Sequence, residues 1–185
     1  FMHGGWMHLL GNMVFLWIFG DNIEDSMGHT KFLSFYLICG VIAALLQATI
    51  DPNSTIPMIG ASGAIAGLLG AYLILHPKAN VNVLFWIIIF ITVIKVPAFI
   101  VLSIWIVSQF FGSVSGVAYF AHIGGFIAGA LLIYFFKYPN IQLFQQGNSI
   151  SFESNSFGMD NFFNKKKERD FLQEFIDTAN KKDKN

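Results

Sequence analysis

Long apolar stretches that carry almost no charge constrain the fold of this chain more than any other feature. They lie at Trp6–Phe19, Phe32–Ile50, Ser62–Leu75, Pro97–Phe111 and Ala118–Phe136. Runs of about 17–25 apolar residues are typical of helices that cross a bilayer. Only 12% of the residues are charged, whereas soluble domains carry about 25%. We therefore predict an all-α, polytopic bundle of membrane helices.

The apolar stretch from Val81 to Phe111 is too long for a single span. As one helix it would exceed ~45 Å, whereas the hydrocarbon core of a bilayer is ~30 Å thick. Lys95 and Pro97 divide the stretch. We place the span after them and interpret Val83–Ile94 as an interfacial or additional packed segment.

The lysines indicate how the bundle is oriented. Lys31, Lys78 and Lys137 fall in connections on one side, whereas the opposite loops, Asp51–Ala61 and Gly112–Gly116, contain neither Lys nor Arg. Positive charge marks the cytoplasmic side of a membrane protein. The pattern predicts a cytoplasmic C-terminus. The formal net charge is zero, so a nucleic-acid partner is not expected.

Polar residues inside the spans are candidates for function, because hydrocarbon offers them no partner. His8 and Asn12 are four residues apart and share one helix face, with His3 about one turn earlier. This column could join helices by hydrogen bonds or could serve a reaction. A metal site is disfavoured, because neither an acidic residue nor Cys39 supplies a third ligand. We expect no cofactor, and we interpret Cys39 as a packing residue. Other polar residues in or near the spans are Gln47, Ser62, Lys95, Ser103, Ser108, Gln109 and His122.

Ser62 begins the shortest of the apolar stretches, within Gly60-Ala61-Ser62-Gly63. A helix over Ser62–Leu75 would be about 21 Å long and could not cross a ~30 Å core. If its inner end reaches the inner face, Ser62 lies about 9 Å below the outer surface. The loop before it must then dip into the membrane and line a wet cavity. Ser62 would lie at a helix N-terminus, where free N–H groups stabilise anions.

Glycines predict which of the helices touch. They recur every three or four residues around the Ser62–Leu75 stretch, and a matching pair follows His122 in the last stretch. Such stripes let two membrane helices approach closely. We infer that the stripes face each other and bring Ser62 and His122 together, as a Ser–His dyad needs. The stripe residues are Gly60, Gly63, Gly67, Gly70, Gly125 and Gly129.

Three motifs, each on its own span, resemble those of the rhomboid family of intramembrane serine proteases. They are His3-Gly-Gly-Trp6-x-His8-x-x-x-Asn12, Gly60-Ala61-Ser62-Gly63 and Ala121-His122-x-Gly-Gly-x-x-x-Gly129. The resemblance covers roughly residues 1–137. It implies a rhomboid-like core over residues 1–138, followed by a cytoplasmic linker and tail over residues 139–185. Family members generally have a further helix and an embedded loop before the first motif, so we expect five of six core helices, with the first missing.

The resemblance also implies a role for each site residue. Ser62 would attack the scissile carbonyl, and His122 would act as general base and then as general acid. Asn12, His8 and the backbone N–H of Ser62 would stabilise the oxyanion, with His3 in support.

One position departs from part of the family. Some members carry an aromatic residue four positions after the nucleophile, where it packs on the histidine. Ala66 stands there in this chain. We therefore expect His122 to be oriented by other groups.

The resemblance implies that the substrates are transmembrane segments of other membrane proteins, cut near the outer face. The expected partners are these substrates and the lipid bilayer, and no oligomeric state is predicted. The short loops favour a bacterial inner membrane. One alternative is a proteolytically inactive rhomboid-like protein that binds membrane clients. A transporter is disfavoured, because the spans contain neither an acidic residue nor an internal repeat.

The C-terminal region differs in composition from the spans. Asn140–Asn161 is rich in Ser, Asn and Gln and is interpreted as a linker. Lys165–Lys182 is strongly charged, and its apolar residues recur at helical spacing, which predicts an amphipathic helix. This helix would be solvated with one packed face, or would contact the membrane surface through Lys165–Lys167. Its apolar residues are Phe171, Leu172, Phe175, Ile176 and Ala179.

Overall fold

The computed structural model describes residues 2–53, 60–87, 90–112 and 117–145. Within these ranges the chain is mostly helical, which confirms the predicted fold class. The predicted amphipathic helix at Lys165–Lys182 and most of the predicted linker lie outside the described residues. The elements are α1 (Trp6–Met27), α2 (His29–Ile50), α3 (Ser62–Leu75), β1 (Asn80–Ile87), β2 (Phe90–Pro97), α4 (Ala98–Ser108) and α5 (Tyr119–Phe136).

The first helix is longer than its apolar stretch. The sequence predicted an end at Gly20-Asp21-Asn22, and this is wrong, because α1 continues to Met27. Phe19, Ile23 and Met27 are spaced four residues apart and are each at most 3% exposed. They extend the buried face past the turn-forming residues, and packing of this kind overrides local propensity. Gly28, with a φ of 84°, separates α1 from α2.

The helix α3 lies at the centre of the bundle. Its bounds are those that the sequence predicted, and ten of its 14 residues are buried. Among the described helices, α2 and α5 are long and apolar enough to cross a membrane, whereas α3 and α4 are apolar but shorter. A short apolar helix is tolerated at membrane depth when other helices surround it.

The backbones of α3 and α5 are in direct contact. A Cβ atom on Gly129 would lie 1.8 Å from the carbonyl oxygen of Gly67, and one on Gly125 would lie 2.0 Å from that of Gly63. A Cβ on Gly70 would lie 2.0 Å from the carbonyl oxygen of Phe126. No side chain fits in these gaps, so glycine is required. The two stripes therefore meet, as their spacing indicated.

The same stripe also faces α2. A Cβ on Gly63 would lie 2.8 Å from the Cβ of Ala43, and one on Gly67 would lie 2.5 Å from that of Cys39. Cys39 is buried and unpaired with another cysteine. It acts as a small packing residue between α2 and α3.

An antiparallel hairpin connects α3 to α4. β1 pairs with β2, from Asn80 opposite Pro97 to Ile87 opposite Phe90. The sequence predicts an interfacial or additional packed segment over Val83–Ile94, without a secondary structure. Its many β-branched and aromatic residues favour strands. The base of the hairpin is closed by the N–H of Ala98, which donates to the carbonyl of Ala79 at 2.7 Å.

The connections that carry Lys31, Lys78 and Lys137 lie at one end of the bundle. Just after α5, the N–H of Tyr138 donates to the carbonyl of Ser26 at the end of α1, at 2.9 Å. Lys31 Nζ lies 5.2 Å from the centre of the Tyr138 ring. Farther on, the N–H of Gln145 donates to the carbonyl of Leu75 at the end of α3, at 2.8 Å. The ends of α1, α3 and α5 are thus joined, and Ser62 lies at the opposite end of α3.

Candidate active site

Ser62 and His122 come from the two helices that glycine brings together. Ser62 is the first residue of α3, and His122 is the fourth residue of α5. Ser62 Oγ lies 2.8 Å from His122 Nε2, a normal hydrogen-bond distance. Both residues are half-buried. A serine hydroxyl that donates to an imidazole nitrogen can transfer its proton there as the oxygen attacks an electrophile.

The other nitrogen of His122 contacts α4. His122 Nδ1 lies 2.8 Å from Oε1 of Gln109, the residue that follows α4. In the sequence Gln109 is recognisable as a polar residue of the fourth span, but no role follows from that alone. The sequence signal for Gln109 was that an amide side chain lies in an apolar span. Its contact with His122 could not be predicted, because the two residues are 13 positions apart and are separated by a loop.

Aromatic rings from two helices flank the His122 imidazole. The Trp105 ring on α4 lies 5.8 Å away, tilted by 37°. The Tyr119 ring, about one turn earlier on α5, lies 6.4 Å away and edge-on, at 82°. Ala66 is fully buried, and its Cβ would lie 3.4 Å from a Cβ on Gly125. A large ring at position 66 would force α5 away, so the rings around His122 come from elsewhere.

His8 on α1 approaches Ser62 across Gly60. A Cβ on Gly60 would lie 2.8 Å from His8 Nε2 and 3.8 Å from Ser62 Oγ. Gly60 also has a φ of 111°, which favours glycine. His8 Nδ1 accepts a long hydrogen bond, 3.5 Å, from the N–H of Gly4. This contact leaves Nε2 as the nitrogen that bears the proton and faces the site.

His3 and Asn12 complete the polar column on α1. The rings of His3 and His8 meet edge to face, with centres 5.2 Å apart. Asn12 is 7% exposed, and its Nδ2 donates to the carbonyl of His8 at 2.8 Å. Asn12 Oδ1 and His3 Nε2 are buried and have no partner among the described residues. The column therefore keeps unused hydrogen-bonding capacity, although no hydrogen bond within the described ranges joins Asn12 to Ser62.

Gln47 on α2 holds the start of α5. Its Oε1 accepts a hydrogen bond from the N–H of Ala121, at 3.1 Å. The same N–H also donates to the carbonyl of Ala118, three residues earlier, at 3.1 Å. Gln47 therefore supplies a second acceptor in the first turn of the helix, where regular bonds to carbonyls four residues earlier are missing. In the sequence Gln47 is recognisable as a polar residue near the end of the second span, but this contact is not.

Replacing Gln47 with leucine is expected to lower the free energy of unfolding by up to about 1 kcal/mol, because the N–H of Ala121 loses its side-chain acceptor and keeps only the carbonyl of Ala118. Reversible unfolding in mixed micelles measures the change. Gln142, whose side chain is exposed after α5, provides the matched control as Gln142→Leu. Equal losses for the two variants would contradict the role of Gln47.

A model of the rhomboid domain matches residues 1–139, a range that contains all of these site residues. The chain belongs to the rhomboid family. The motifs around Ser62 and His122 thus lie in the region that defines the family. Within the described residues, this rhomboid has no group of three metal-ligating side chains.

Several curated proteins are similar to this rhomboid. Rhomboid-like protease 5 of Toxoplasma gondii is 35% identical over 140 residues, which cover 71% of this chain and 15% of the relative. RHOMBOID-like protein 4 of Arabidopsis thaliana is 35% identical over 131 residues, covering 71% of this chain and 31% of the relative. Rhomboid protein 1, mitochondrial, of Saccharomyces cerevisiae is 29% identical over 140 residues, which cover 71% of this chain and 38% of the relative. This rhomboid therefore spans less than half of each of these relatives.

The family and the apolar helices place this rhomboid in a membrane. The relatives do not support the prediction of a bacterial inner membrane, because they include proteins named as mitochondrial and as chloroplastic. The short loops on which that prediction rested are a property of the fold and carry no information about the organelle.

Proposed function

We propose that this rhomboid is an intramembrane serine endopeptidase that cleaves transmembrane segments of other proteins through Ser62 and His122. The observation that carries the proposal is the 2.8 Å separation of Ser62 Oγ and His122 Nε2. The pair lies within the rhomboid domain, and one similar protein is named as a protease.

The proposed reaction begins when Ser62 Oγ attacks the scissile carbonyl carbon while its proton passes to His122 Nε2. The tetrahedral intermediate collapses when His122 returns that proton to the leaving amine, which breaks the peptide bond. Water then attacks the acyl-enzyme ester with His122 again as base, releasing the second product and restoring the hydroxyl. Splitting one difficult step into two easier ones is the gain of covalent catalysis.

The oxyanion of the intermediate would be stabilised by donors from two helices. The N–H of Ser62 belongs to the first turn of α3, where N–H groups lack intrahelical partners. His8 Nε2 faces the same point across Gly60, and Asn12 keeps one amide N–H beyond its bond to the His8 carbonyl. His3 would support His8 through their edge-to-face contact. A single donor of this kind is worth about 10²–10³ in rate.

The helix α4 offers the route for a substrate. Ala98 and Leu102 are its only buried residues, so displacing it disturbs little packing. Ser62 lies at the end of α3 opposite the lysine-bearing connections, which matches cleavage near the outer face. The cytoplasmic tail over residues 139–185 has no part in the reaction as proposed.

A fluorophosphonate probe tests this function directly. The full chain in proteoliposomes is expected to be labelled at Ser62, located by peptide mapping, and to cleave a single-span test substrate with small residues near its outer end. Ser34→Ala, an exposed serine on α2, is expected to keep both properties, whereas Ser62→Ala loses both. An unlabelled wild-type chain that binds the substrate without cleaving it would instead identify an inactive client-binding rhomboid.

A further inference from the structure

The side-chain amide of Gln109 is locked by its neighbours. Its Nε2 donates to the carbonyl of Trp105 at 3.0 Å and to Ser108 Oγ at 3.0 Å. The hydroxyl of Ser108 donates its hydrogen to the same Trp105 carbonyl, at 2.6 Å. Its oxygen can therefore only accept a hydrogen bond from Gln109. Both hydrogens of the amide nitrogen are therefore used within α4. The amide oxygen Oε1 is left facing His122.

This orientation determines the proton on His122. An amide oxygen only accepts hydrogen bonds, so His122 Nδ1, 2.8 Å from Gln109 Oε1, must carry the hydrogen. In a neutral imidazole the other nitrogen, Nε2, then has a lone pair. That lone pair faces Ser62 Oγ at 2.8 Å and receives its proton. The alternative tautomer would set Nε2–H against the hydroxyl and leave Nδ1 and Oε1 as two facing acceptors.

We propose that Gln109 is the positioning residue of the active site, holding His122 in the tautomer and ring orientation that serve as general base. The inference rests on the proposed protease function and extends it to a third side chain. A neutral amide suits a site at membrane depth, because a buried carboxylate in its place would carry a large desolvation penalty. The titratable groups near His122 are His8 from α1 and Tyr119 from its own helix. Within the described residues, α2, α3 and α4 present it with no charged group.

The position of Gln109 links His122 to the least embedded helix. Gln109 directly follows α4, of which only Ala98 and Leu102 are buried. Trp105 supplies the carbonyl that holds the amide, and its ring also lies beside the imidazole, tilted by 37°. The geometry of the base therefore depends on α4 lying against α5.

Two substitutions with opposite chemistry test the proposal. Gln109→Met keeps the length of the side chain and removes the acceptor, so kcat is expected to fall roughly 10- to 100-fold with little change in KM. Gln109→Glu keeps an acceptor oxygen and adds charge. It is expected to retain more kcat than Gln109→Met and to move the acid limb of the pH–kcat profile to higher pH, because a carboxylate stabilises the imidazolium. Gln142→Met makes the same substitution at an exposed glutamine that follows α5. It is the matched control and should leave kcat and the pH profile unchanged.

Nitrogen NMR of histidine-labelled protein gives a readout that needs no activity. The wild type is expected to show His122 with its proton on Nδ1, and Gln109→Met to show a mixture of tautomers. A Gln109→Met chain that keeps kcat within twofold and keeps the tautomer would overturn the role of Gln109. So would a Gln109→Glu chain whose kcat falls as far as that of Gln109→Met, because the carboxyl keeps an oxygen that can accept from His122 Nδ1 in either protonation state. Both results presuppose a wild-type chain that is labelled at Ser62, since an unlabelled wild type would refute the protease function itself.

Discussion

Replacing His122 with alanine is expected to lower cleavage of a transmembrane substrate by about 10²–10⁴-fold, the range that general acid–base catalysis supplies. The reason is geometric. His122 Nε2 is the base placed at 2.8 Å from Ser62 Oγ, and within the described residues no carboxylate stands near enough to replace it. Without that base the hydroxyl keeps its proton and attacks slowly.

Labelling separates a lost base from a lost fold. His122→Ala should be labelled by a fluorophosphonate far more slowly than the wild type, while its unfolding transition changes little. His29→Ala is the matched control, because the His29 side chain is 93% exposed and pairs with Glu24 at the far end of the bundle. Labelling of His122→Ala at the wild-type rate would show that Ser62 reacts without His122, and the proposed dyad would then be wrong.

The contact between α3 and α5 could be predicted from the sequence, because the spacing of the glycines along each helix shows which face can pack closely against another helix. Helix periodicity puts residues three or four apart on one face, and two faces without side chains are suited to each other. That reasoning indicated that Ser62 and His122 would lie together, although they are 60 residues apart in sequence. It could not reveal that Gly63 and Gly67 also face α2.

The contacts that escaped sequence analysis depend on single side chains reaching across the bundle. Gln109 and Gln47 were recognised as polar residues in apolar surroundings, but each could have bonded to many partners. Their targets, His122 Nδ1 and the N–H of Ala121, follow from the rotation of α4 and α2 about their axes. The rotation of α4 could not be predicted from its sequence, because apolar residues lie all around this helix and mark no single buried face.

Two boundaries show where local patterns mislead. Gly20-Asp21-Asn22 reads as a turn, yet α1 runs through it because Ile23 and Met27 bury their side chains beyond it. Within Asn80–Pro97, long apolar runs fit a buried helix or a strand equally well. The hairpin ladder between β1 and β2 decides the outcome by satisfying backbone groups that a membrane segment cannot leave exposed.

Replacing Gly129 with alanine is expected to separate α3 from α5 and to cost about 3 kcal/mol of stability, the upper part of the range for overpacking. The added Cβ would lie 1.8 Å from the carbonyl oxygen of Gly67 and 2.6 Å from its Cα. These are backbone atoms of the central helix, so the clash can be removed only if one of the two helices moves. Ser62 and His122 lie at one end of this contact, and a displacement of about 1 Å there can cost 10²-fold in rate.

Two other glycines provide a graded control for this clash. Gly124→Ala meets only side-chain atoms of Leu46, with Cδ2 at 2.8 Å and Cβ at 2.9 Å, and no backbone atom. Rotation of the side chain moves Cδ2 away and only a small shift of α2 is needed for Cβ, so the loss of stability should be smaller than for Gly129→Ala. Gly11→Ala on α1 meets nothing within 4 Å and should stabilise the helix by up to about 1 kcal/mol. Unfolding in mixed micelles and substrate cleavage, measured on all three variants, should rank them Gly129→Ala, Gly124→Ala, Gly11→Ala in order of decreasing damage. If Gly129→Ala cleaved substrate as fast as Gly11→Ala, backbone contact between α3 and α5 could not be what holds the serine against the histidine.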